Sequence, residues 1–80
     1  MSMREGTLIY DRQSGRYDIR YRQGSYYGGL HCGTCLDVLV GDSWISTSIE
    51  YSSGGAEGWY LTGLRQHTDD PRLDGLSVRI

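Results

Sequence analysis

Apolar residues in this chain recur at every second position and never hold a spacing of three and four for the ten or so residues a helix needs, which restricts it to strands. Across residues 16–22 (RYDIRYR), Tyr17, Ile19 and Tyr21 share one face while Arg16, Asp18, Arg20 and Arg22 take the other, so one side is buried and one is wet. Ile45, Thr47, Ile49 and Tyr51 alternate in the same way with Trp44, Ser46, Ser48 and Glu50, and Leu76, Val78 and Ile80 with Ser77 and Arg79. Twelve glycines depress helix propensity further, and no helix beyond one turn is expected.

The strand segments are 7–10 (TLIY), 16–22, 36–40 (LDVLV), 43–51 (SWISTSIEY), 59–64 (WYLTGL) and 76–80. Residues 11–15 close a first hairpin, and Gly41-Asp42, a two-residue loop with glycine first, closes a second in the manner of a type II′ turn. Turn-rich stretches at 52–58 and 68–75 separate the remaining segments. The expected fold is all-β: five to six short antiparallel strands in a small SH3-like barrel or a strongly twisted antiparallel sheet, since closure hides edges that would otherwise aggregate. One domain over residues 1–80 would bury only about 60 to 65% of its unfolded surface, so the core is thin and a staple would help. Residues 23–33 would occupy the long first loop of such a barrel.

That loop carries Cys32-Gly33-Thr34-Cys35 with His31 in front. A redox pair needs its first thiol at a helix N-terminus, and a strand follows here instead. Two buried thiols at the start of a strand are a second possibility. A zinc half-site, the preferred reading, needs only a tight turn that aims both sulfurs at one point. Tetrahedral closure then requires two more ligands, from His31, His67, or a carboxylate such as Glu57 or Asp69. A shared site is a further route, with Cys32 and Cys35 from each of two chains giving a zinc-linked dimer instead of a monomer. Without a general base nearby, structural metal is favoured over catalytic metal.

All eight basic residues are arginines, against ten acids, and the net charge of -2 argues against a general polyanion binder. Residues 4–22 hold five arginines against three acids, while the rest holds three against seven, a polarity that would help to orient a protein partner. Arg16, Arg20 and Arg22, with Tyr26 and Tyr27 on the long loop, are the candidate partner-binding residues. Within strand 16–22 the arginines and tyrosines face opposite ways, which disfavours stacking on single-stranded nucleic acid. No apolar run reaches ten residues, so neither a membrane span nor a signal peptide is expected, and cytoplasmic location follows as the default.

The order GRYDIRY, YYGGLHCGTCLDVLV, GDSWI, GWYLTGL and LDGLSVRI resembles a small uncharacterised domain family of Gram-positive bacteria, their prophages and mobile elements, over nearly the whole chain. Mobile-element genes of this size often encode inhibitors of host defence, and the chain is similar in size and general character to anti-CRISPR proteins. The family carries no assigned activity; with the zinc staple read from the residues, the expected function is a non-enzymatic protein-binding module, which the likeness to such inhibitors makes a phage-encoded one that would block DNA loading by an RNA-guided CRISPR effector nuclease. The alternative is a nucleic-acid-associated small barrel of a mobile element.

Overall fold

The computed structural model describes residues 3–52, 58–66 and 72–80. Over these residues the chain forms β1 (Glu5–Asp11), β2 (Arg16–Tyr21), β3 (Thr34–Val40), β4 (Ser43–Tyr51), β5 (Trp59–Leu61) and β6 (Ser77–Arg79), with one turn of 3-10 helix at Leu64–Gln66. All pairings are antiparallel, and the spatial order is β2-β1-β6-β3-β4-β5. Among the described residues no helix is long and apolar enough to cross a membrane.

The two hairpins form where turn chemistry allows. Val40 pairs with Ser43 across Gly41-Asp42, and Gly41 alone takes a positive φ, +60°, as a II′ turn requires. Asp11 pairs with Arg16, and the Asp11 carboxylate accepts hydrogen bonds from the Gln13 N–H at 3.0 Å and the Ser14 hydroxyl at 2.9 Å. β6 then lies between the hairpins, with Val78 opposite Gly6 on one side and Val38 on the other.

The sheet is open, so of the two expected forms the six-stranded antiparallel sheet is the one adopted and the closed SH3-like barrel is corrected. The physical reason lies at the free edge of β2. Residues 25–30 turn back along it: the Tyr21 N–H donates to Ser25 O, Tyr27 N–H to Ile19 O and Leu30 N–H to Tyr17 O. Those backbone groups are satisfied without a strand-to-strand seam to β5. β5 is tied instead to the first hairpin turn by the Trp59 indole N–H, which donates to Gly15 O at 2.9 Å.

One face of the sheet holds the core. Leu8, Ile19, Val38, Ile49 and Val78 are fully buried, and Leu36, Leu61, Leu64 and Leu73 close around them. Leu30 joins them from the returning segment and is also fully buried. Gly6 leaves no room for a side chain against β2: a Cβ there would lie 2.6 Å from Ile19 Cγ2 and 2.7 Å from Arg20 O. β5 is shorter than the segment 59–64 because Thr62 turns its hydroxyl to β4, accepting from the Ser48 N–H at 3.1 Å, and Gly63 at φ +70° bends the chain so that Leu64 drops into the core.

Candidate functional site

Two groups of side chains on the outward face merit a functional reading. The first is the cysteine corner. The β3–β4 register sets Cys35 opposite Ser48 and Thr34 opposite Ile49. Ahead of it, residues 31–34 make a tight turn in which Thr34 N–H donates to His31 O at 3.0 Å and Gly33 takes φ +93°. Gly33 N–H reaches Ile49 O at 2.7 Å, which brings Cys32 beside Glu50. The Cys32 thiol donates to Glu50 Oε1 at 3.2 Å, and the Ser48 hydroxyl donates to Glu50 Oε2 at 3.0 Å. Both thiols are free and exposed, which overturns the buried-thiol alternative: their turn and strand face outward, away from the core.

Sulfur and carboxylate oxygen side by side suit a borderline-soft cation such as zinc. Among the described residues, no three of His, Cys, Asp and Glu are gathered closely enough to hold a metal ion. His31 is exposed, and its backbone carbonyl serves the turn. His67, Glu57 and Asp69 lie outside the described residues.

The second group lies on β2, β1 and β6. Arg20 pairs with Thr7 and Thr7 with Ser77, while Arg20 also bridges to Tyr26 of the returning segment, so Tyr26, Arg20, Thr7 and Ser77 make one row across the outward face. An open cleft of about 760 Å³ runs here, lined by Glu5, Thr7, Arg20, Arg22 and Ser77 among others. Arg20 and Arg22 are exposed and, among the described residues, make no hydrogen bond or ion pair; the Thr7 and Ser77 hydroxyls make none either.

Of the other arginines, Arg12 on the first hairpin turn is also exposed and unbonded among the described residues, whereas Arg79, Arg4 and Arg16 are committed. Arg79 donates to Asp37 Oδ2 at 2.9 Å and lies 4.4 Å over the Trp44 ring. Arg4 lies 3.7 Å over the Tyr21 ring. Arg16, at the far end of β2, reaches Leu30 O at 3.5 Å, so it stands apart from Arg20 and Arg22. Tyr26 and Tyr27 are both exposed, but only Tyr26 aligns with Arg20. Their loop is held by Asp18, whose Oδ1 accepts from the Ile19, Gly28 and Gly29 N–H groups at 2.8, 3.0 and 2.9 Å.

Sequence reasoning missed Glu50 and Ser48 as companions of the thiols. Counting back from Gly41-Asp42 finds them, because Val40 opposite Ser43 places Cys35 opposite Ser48. Thr7 and Ser77 had no local signal, since their proximity depends on where β6 inserts.

Among curated proteins none matches the chain. A structural-genomics crystal structure of a protein from Ruminococcus gnavus, a Gram-positive bacterium, is similar at 51% identity with a TM-score of 0.79, covering 96% of this chain and 100% of that one. The family described as Domain of unknown function (DUF5348) matches residues 6–80. With that span, the chain belongs to the DUF5348 family.

Proposed function

We propose that the chain is a non-enzymatic binding module that presents the outward face of β2, β1 and β6 to a partner protein. The observation that carries this reading is the pair of unpartnered guanidiniums, Arg20 and Arg22, beside the aligned and exposed Tyr26. Arginine and tyrosine are the residue types that anchor interfaces. A free guanidinium keeps all five donors for a partner. The resemblance to mobile-element inhibitors supplies the first partner to assay, an RNA-guided nuclease whose DNA loading would be blocked.

The test is capture of a purified candidate or a lysate partner on wild type, on an Arg20→Glu, Arg22→Glu double variant, and on Arg12→Glu as a control on the turn before β2. Loss confined to the double variant, reproduced with purified components, supports the proposal. Equal retention on all three overturns it. Retention on single-stranded DNA with a steep salt slope would favour the nucleic-acid-associated alternative.

Structural zinc at Cys32 and Cys35 is a second reading, favoured by one observation: Glu50 supplies an oxygen 3.2 Å from the Cys32 sulfur. Glu50 joins the candidate ligands as a described carboxylate, and His31, His67, Glu57, Asp69 or water would complete the set. Metal content of untagged protein tests it.

A further inference from the structure

We infer that the cleft between β2, β1 and β6 takes an extended acidic segment of a partner protein, with carboxylates at alternate positions. The inference rests on the reading of this face as an interaction surface and names what occupies it. Arg20, in β2, and Arg22, in the turn that follows Tyr21, both line the cleft, and two residues of chain keep their Cα atoms within about 7 Å of each other. An extended segment repeats its same-side groups at that interval, so acid-x-acid sets one carboxylate at each guanidinium. Each guanidinium offers a planar fork to a carboxylate. The unbonded hydroxyls of Thr7 and Ser77 on the floor add neutral donors for the same oxygens or for the segment's backbone carbonyls.

Charge limits the occupant. Glu5 stands on the cleft wall. The chain as a whole carries ten acids against eight arginines, so its net charge of -2 does not favour a long polyanion. A peptide with two carboxylates and otherwise neutral residues meets only the favourable part. Tyr26, opposite Arg20, flanks the site as an exposed ring 56% accessible, able to cover the apolar part of such a segment.

The experiment is a titration of isotope-labelled wild-type protein, followed by amide chemical shifts, with three probes: the blocked pentapeptide Ser-Glu-Thr-Glu-Ser, its permutation Ser-Thr-Glu-Glu-Ser, and a short oligothymidylate. The expected result is shifts confined to Thr7, Arg20, Arg22, Tyr26 and Ser77. Binding of the permuted peptide should be about 3-fold weaker, because adjacent carboxylates point apart in an extended chain. Arg20→Gln with Arg22→Gln should weaken the alternating peptide about 10-fold, the product of two exposed charge pairs, with the rest of the spectrum unchanged.

Absence of shifts at millimolar peptide, shifts elsewhere, or equal affinity for both peptides overturns the inference. So does oligothymidylate binding at the cleft more tightly than the peptide. Each of these outcomes leaves the broader interaction reading to its own capture test, which does not depend on an acidic occupant.

Discussion

Replacing Leu30 by alanine asks what holds the long loop to the sheet. Leu30 is fully buried although it stands outside every strand, and its N–H donates to Tyr17 O at 2.8 Å. The substitution removes three carbons, worth about 2.4 kcal/mol in transfer terms, and leaves a cavity that brings the cost to about 3 kcal/mol. For 80 residues the whole stability is on the order of 4 to 12 kcal/mol, so this one side chain outweighs any exposed contact in the loop. The melting temperature should fall by about 15 °C, read by circular dichroism and paired with urea unfolding. Tyr27→Ala, on an exposed neighbour, should cost under about 1 kcal/mol. A loss below about 1 kcal/mol for Leu30→Ala would refute the reasoning. Should a chelator then lower the melting temperature of wild type, metal and not burial would be what pins the loop.

Gly6→Ala should destabilise by about 3 kcal/mol in urea unfolding, because one of its close contacts is the Arg20 carbonyl oxygen, which cannot rotate away as a side chain can. Trp59→Phe should cost about 1 kcal/mol by losing the hydrogen bond to Gly15 O that ties β5 to the first hairpin turn, and an unchanged midpoint would show that tie to be idle. Zinc analysis of untagged protein should find about one ion per chain, lost in Cys32→Ser and reduced in Glu50→Gln; a metal-free wild type ends that reading. Asp18→Ala should leave the sheet folded but loosen the loop at Tyr26 and Tyr27, visible as faster amide exchange at Gly28 and Gly29, whose N–H groups lose their acceptor.

By itself the sequence determined the strands and their faces. A period of two is set by backbone geometry within a few residues, so Tyr17, Ile19 and Tyr21 had to oppose Arg16, Asp18 and Arg20 whatever the strand paired with. A glycine-first two-residue loop likewise set the register that puts Cys35 opposite Ser48. What only the tertiary structure decided is which edges meet. The three residues of β6 carry too little local pattern to choose a partner, and their place between β1 and β3 follows from Val78 finding a fully buried position opposite Gly6 and Val38. The same holds for Tyr26 arriving beside Arg20, and for a sheet that stays open because a returning segment satisfies its edge. These are pairings between distant stretches, and their energy exists only once the core that holds them has formed.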